Sequence, residues 1–147
     1  MKIFMDADAM PTAVKTILFR AAERTGKNLI LVANQELKHP TSKFISSIVV
    51  AQGPDEADDT IIDLVKEGDL VITADIPLAD RVISKGGHCI DPRGTLLTSD
   101  NIKEFLVIRN LKSELRDSGI ETPGPSAYSD KDKQNFANQL DRILAKL

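Results

Sequence analysis

Aspartates recur in this sequence where short apolar runs end. Asp6 and Asp8 follow Ile3, Phe4 and Met5, and Asp75 follows the run 70–73. A third source is the segment 55–59, which holds Asp55, Asp58 and Asp59. Asp58 precedes Ile61, Ile62 and Val65 by three, four and seven positions, which places it on the apolar stripe of a helix. Asp59 turns towards solvent beside Asp63 and Lys66, and Asp55 lies one turn before Asp58 on the same face. Carboxylates gathered in one crevice repel one another, and each is costly to desolvate. A hard divalent cation such as Mg²⁺ or Mn²⁺ relieves both costs, since it prefers oxygen ligands and keeps several waters. Such an ion activates water and steadies charge on a phosphate, the chemistry of metal-assisted phosphodiester cleavage.

A plainer account exists for each acid alone. Asp near a helix start is commonly a cap, and Asp55 with Asp58 three residues on has the form of a capping box. Asp8 before Pro11 and Asp75 before Pro77 also suit ordinary strand-to-helix turns. The joint pattern is harder to explain this way, because two strand ends and an inward helical acid would all have to converge by accident.

The elements that must position these acids alternate between β-type and helical patterns, which predicts an α/β fold with a mainly parallel sheet flanked by helices. Strands are expected at 2–5, 29–32, 45–50, 70–73 and, as the last, 88–90. Helices are expected from Pro11 to about Arg24, from the Gly53-Pro54-Asp55 turn to Gly68, and through Val82 and Ile83 to Gly86-Gly87. After the turn Asp91-Pro92-Arg93-Gly94 comes a helical extension spanning about 98–147. Ser99 or Asp100 is the expected cap of its first helix, which reaches about Asp117. Ser129 heads its second, with Phe136, Leu140, Ile143, Leu144 and Leu147 on one stripe. In open parallel sheets, sites form outside the carboxyl ends of strands, so Asp6, Asp8 and Asp75 should face one crevice.

The chain has 147 residues, 41% of them hydrophobic, which suits one domain with a single sizeable core. Its formal charge of −3 counts against a protein that coats nucleic acid generally, while leaving room for local basic patches. Cys89 is the only cysteine, and His39 and His88 the only histidines, which excludes internal disulfides, thiolate clusters and a histidine-rich zinc centre. The N-terminus meets charge too early for a signal peptide, and no apolar run nears the roughly 18 residues of a membrane span. A cytoplasmic location away from membranes is the expectation.

Candidate phosphate-binding residues are fewer. Arg109, Lys112 and Arg116 fall at helical spacing beside an apolar stripe of Ile108, Leu111 and Leu115. Glu114 and Asp117 interleave them, as on an ordinary solvated face. Arg93 could reach a phosphate from its turn or tie that turn down. Lys15 sits one turn into the first helix, on the site side. Aromatic residues make up 4%, with no Trp and one Tyr, so base stacking is poorly provided for.

The segments Asp6-Ala7-Asp8-Ala9-Met10-Pro11, Asp55-Glu56-Ala57-Asp58-Asp59, Val71-Ile72-Thr73-Ala74-Asp75-Ile76-Pro77-Leu78-Ala79 and Asp91-Pro92-Arg93-Gly94 resemble the YaiI/YqxD family of bacterial proteins. Gly124-Pro125 and Ser129-Asp130-Lys131-Asp132 extend the likeness over nearly the whole chain. The middle of the chain also resembles PIN-like nucleases, in which an acid ends the first strand, an Ala-Asp pair opens a later helix and a strand ends in Thr-x-Asp. That resemblance implies a three-layer PIN-like fold with Asp6, Asp58 and Asp75 as catalytic metal ligands. Asp8, Asp55, Asp59 and Asp80 join them as further candidates for Mg²⁺ or Mn²⁺, with RNA or DNA as substrate. Met10 stands where many relatives carry Cys, which speaks against a thiol mechanism there. Two other readings remain: a metal- or nucleic-acid-binding module without turnover, and a haloacid-dehalogenase-like phosphatase using Asp6 of the Asp6-Ala7-Asp8 run as nucleophile.

Overall fold

Successive residues of a strand point to opposite faces of its sheet, so a central strand covered on both sides must be apolar throughout. The strand β1 (Lys2–Asp6) meets that demand with Ile3, Phe4 and Met5, all fully buried. In the computed structural model, which describes residues 1–8, 10–124 and 126–146, Ile3 and Met5 face one helical layer and Phe4 faces the other. β4 (Leu70–Ile72) repeats the pattern, with Leu70 and Ile72 on the first side and Val71 on the second.

The sheet has six strands in the order β3-β2-β1-β4-β5-β6, where β2 is Asn28–Ala33, β3 Ile45–Val49, β5 His88–Ile90 and β6 Leu96–Leu97. The first five strands run parallel, and β6 pairs antiparallel with β5. His88–Ile90 is therefore not the last strand. The turn Asp91-Pro92-Arg93-Gly94 reverses the chain into β6, a two-residue element too short to show a periodic pattern in sequence.

α1 (Thr12–Thr25) and α5 (Asp130–Lys146) cover the first face, where Val14, Leu18, Phe136 and Leu140 are buried. Gly26 ends α1 in the left-handed region at φ 67°, donating its N–H to Ala22 O at 2.9 Å. α2 (Glu56–Leu64), α3 (Ile76–Ser84) and α4 (Ile102–Asp117) cover the other face. The result is a three-layer α/β arrangement with helices on both sides of a mainly parallel sheet.

Several boundaries differ from expectation. α2 stops at Leu64 because Val65 is extended, four residues before Gly68. α4 begins at Ile102 after Asn101, whose side chain accepts the Thr98 N–H at 2.8 Å and donates to Leu96 O at 2.9 Å, so neither Ser99 nor Asp100 is its cap. Ser129 does head α5: its hydroxyl accepts Asp132 N–H at 3.2 Å and Asp132 Oδ2 accepts Ser129 N–H at 3.0 Å. Ala9, Pro125 and Leu147, the last expected on the α5 stripe, lie outside the described residues. Among the described residues no helix is long and apolar enough to cross a membrane.

Candidate active site: an acidic crevice at the strand switch

The chain leaves β1 for β2 in one direction along the sheet and reaches β4 on the other side of β1, which opens a crevice beyond the carboxyl ends of β1 and β4. Asp6 is the last residue of β1, and Asp75 follows β4 by three residues. Thr73 joins them. Its hydroxyl donates to Asp6 Oδ2 at 3.0 Å, and Asp75 N–H donates to Thr73 Oγ1 at 3.0 Å. Thr73 is fully buried, so this relay sits on the rigid floor of the crevice.

Asp75 also has a structural task. Its Oδ1 accepts Leu78 N–H at 3.0 Å as the N-cap of α3, leaving Oδ2 free of that cap. Asp8 crosses towards β2, where its Oδ2 accepts Asn34 N–H at 3.0 Å. Asp8 Oδ1 is buried and has no hydrogen-bond partner among the described residues. A buried carboxylate oxygen without a donor is costly, and a cation or ordered water is the usual remedy.

From α2 comes Asp58, half-buried in the first turn, as its place on the apolar stripe predicts. Asp55 occupies the N-cap position of α2 but makes no side-chain capping hydrogen bond. The capping-box reading of this pair is therefore not realised, and Asp55 acts instead as a charge beside Asp58.

The electrostatics tie five of these acids together. Burial pushes the Asp6 carboxyl above the ordinary Asp value, and the negative charges of Asp75 and Asp8 push it further, against the Thr73 hydrogen bond. Asp58 is pushed up to about 6, first by desolvation and then by Asp75, Asp6 and Asp55, with Arg81 opposing. Asp59 and Asp80 stand apart. Asp59 Oδ1 pairs with Arg81 at 3.0 Å, and Asp80 Oδ1 with Lys103 at 3.9 Å, so each already has a cationic neighbour. Arg81 was not singled out in the sequence, because only the packing of α2 against α3 brings it to Asp59 and within influence of Asp58. Thr73 was legible only as part of a Thr-x-Asp pattern.

The candidate basic residues scatter. Lys15 is half-buried in the first turn of α1, after the loop that leaves β1. Arg93 is held within the fold: its guanidinium donates to Asp132 Oδ2 at 3.0 Å, to Ser126 Oγ at 3.1 Å and to Ser126 O. The same turn is fixed by Asp91 Oδ1, which accepts Arg93 and Thr95 N–H, each at 2.9 Å, and by Tyr128 Oη donating to Pro92 O at 2.7 Å. Arg109, Lys112 and Arg116 are exposed on the second half of α4.

All five coupled acids offer oxygen, the donor type that suits Mg²⁺ or Mn²⁺. Among the described residues no group of three or more His, Cys, Asp or Glu side chains is placed to hold a metal ion. The arrangement fits an ion held by one or two carboxylates and completed by water, the manner in which Mg²⁺ is commonly bound.

The chain is similar to known bacterial proteins over its whole length. It is 54% identical to a UPF0178 protein of Dechloromonas aromatica across 100% of this chain and 98% of that one. It is 56% identical to counterparts in Maridesulfovibrio salexigens, covering 99% of this chain and 97% of the other, and in Thioalkalivibrio sulfidiphilus, covering 99% of each. None of the solved structures matches it. The family model described as "Uncharacterized BCR, YaiI/YqxD family" matches residues 4–146, and the chain belongs to that family.

Proposed function

We propose that this protein is a PIN-like, divalent-metal-dependent nuclease that hydrolyses phosphodiester bonds in RNA or DNA. The observation that carries the reading is that Asp58 lies within the electrostatic reach of Asp6 and Asp75, three acids from separate stretches of chain, at the strand switch. The unpartnered Asp8 Oδ1 beside them supports a cation as the missing neighbour.

A bound Mg²⁺ or Mn²⁺ supplies positive charge to the crevice and lowers the pKa of a coordinated water. Asp6 and Asp75 are the residues to hold it, with Asp8 as a third oxygen donor. Thr73 fixes the orientation of Asp6 and the backbone of Asp75. Asp58, with a pKa near 6, is suited to accept a proton close to neutral pH, the role of a general base. Lys15, at the head of α1, is the basic candidate at the same end of the sheet. Asp55 contributes charge, while Asp59 and Asp80 serve ion pairs with Arg81 and Lys103.

The test compares purified wild type with Asp6→Asn and Asp75→Asn on labelled single-stranded RNA and DNA oligonucleotides, with Mn²⁺ and with chelator. Cleavage by wild type that needs Mn²⁺ and disappears in both variants is expected. Equal cleavage by all three proteins rejects the proposal.

A non-catalytic module is the second reading, favoured by the lack, among the described residues, of three closely gathered ligands. It predicts Mn²⁺ binding by calorimetry, lost in Asp6→Asn, without cleavage of any oligonucleotide.

A further inference from the structure

Asp6 and Asp75 lie beyond the carboxyl ends of their strands, whereas a cavity of about 610 Å³ opens at the amino end of β5. Gly86 and Gly87 lead into that strand. β6, antiparallel to it, returns Leu97 beside Cys89 and carries Thr98 and Ser99 to the same end. Because β1, β4 and β5 run parallel, the acidic crevice and this cavity occupy opposite ends of the sheet. Small-molecule pockets have volumes of roughly 300–1,000 Å³, and this one falls among them.

The floor of the cavity is apolar. Leu97 and Ile143 are buried, Ile83 and Leu96 half-buried, and all four border it. The rim is cationic. Along α5, Gln139, Arg142, Ile143 and Lys146 keep the spacing of one helical face, and Arg142 and Lys146 are exposed. Among the described residues no Asp or Glu borders the cavity. Glu67 reaches Gly86 with its side-chain carbons but lies outside the lining. Arg142 and Lys146 enter no ion pair among the described residues, and Asp141, the acid next to Arg142, pairs with Arg24 at 3.1 Å instead. Lys146 lies in the last turn of α5 and offsets the helix dipole, an effect that fades within that turn. Arg142, one turn earlier, keeps its charge for a ligand.

We propose that this cavity binds a small organic phosphate, a monoester whose carbon body rests on the apolar floor. Two cations one helical turn apart match a group that carries a charge of about −1.5 to −2 at neutral pH. The fork of the Arg142 guanidinium can meet two phosphate oxygens, and Lys146 and the hydroxyls of Thr98 and Ser99 are donors for the others. A carboxylate has too few oxygens to use these donors, and inorganic phosphate leaves the floor uncovered. The site lies apart from the acidic crevice, so it stands or falls independently of the nuclease reading.

Titration of the nitrogen-15-labelled full chain with phenyl phosphate, in buffer with chelator, tests it by amide chemical shifts. Shifts are expected at residues 86–88, 96–99 and 139–146. Phenyl phosphate is expected to bind about tenfold or more tightly than inorganic phosphate, phenol or benzoate. Arg142→Ala and Lys146→Ala, both at exposed positions, should each weaken it about tenfold, with unchanged circular dichroism. Absence of shifts at those residues overturns the proposal, as does binding that both variants leave intact. Phenol or inorganic phosphate binding as tightly as phenyl phosphate also overturns it, and equal binding of benzoate overturns the choice of phosphate.

Discussion

Thr73 Oγ1 stands between two acids of the crevice, donating a hydrogen bond to Asp6 Oδ2 and accepting one from the N–H of Asp75, each across 3.0 Å. A buried hydroxyl that both donates and accepts has its polar capacity used inside the fold, and it holds two strand ends in fixed relation.

Replacing Thr73 with Val keeps the shape and removes the relay. Stability is expected to fall by about 1–3 kcal/mol, since a half-buried carboxylate loses a donor. The Asp6 carboxyl should move still further up, because the Thr73 hydrogen bond is the influence that lowers it. Urea unfolding and a carbon-13 titration of the Asp carboxyls measure both effects. On the nuclease reading, Mn²⁺ affinity should drop about 10–100-fold as the support of a ligand is removed.

Asp58→Asn should stabilise the protein at neutral pH. The folded-state pKa of Asp58 is about 6 against an ordinary 3.8, so above pH 6 the folded chain carries a repelled charge that the unfolded chain solvates freely. As pH falls from about 6 to 3.8, folded Asp58 takes up its proton first and the penalty fades. Thermal unfolding across this range should show a higher midpoint for the variant above pH 6, converging with wild type towards pH 4. A constant difference throughout would contradict the assignment.

Asp69 offers a control acid away from the crevice. It is 6% exposed at the start of β4, and its oxygens accept Lys2 N–H and Lys66 N–H, each at 2.9 Å. Asp69→Ala leaves both donors unpaired and should cost about 2–3 kcal/mol, with no loss of Mn²⁺ binding in the protein that remains folded. Loss of binding at unchanged stability would reverse this assignment.

Gly94 governs the seating of α5. Its φ is 91°, and a Cβ placed there would lie 2.5 Å from the backbone carbon of Asn135. Gly94→Ala therefore combines backbone strain with a clash that no side-chain rotation relieves. A loss of about 2–4 kcal/mol is expected, with faster hydrogen exchange concentrated in α5, where Phe136 and Leu140 are buried.

Much of this architecture was legible beforehand for definite reasons. The runs at β1 and β4 are apolar at every position, which a strand buried on both faces requires, and the helical stripes of α1, α2 and α5 identify their buried sides. Asp58 could be assigned inward because a helix fixes the angle between residues three and four apart. β6 escaped because two residues carry no period, and Asn101 because its capping groups bond to the loop instead of the helix.

The sequence by itself determined which acids sit at strand ends and which face of each helix is apolar, since both follow from local geometry with periods of two and 3.6 residues. Which acids act together was decided by tertiary structure. Asp58 and Asp59 are neighbours in the chain, yet one feels the charges of Asp6 and Asp75 while the other forms an exposed ion pair with Arg81, because only the docking of α2 against α3 sets what each side chain meets. The α4 stripe makes the same point: Ile108 and Leu111 keep a helical spacing, yet they remain exposed while Ile102 on the same helix is buried.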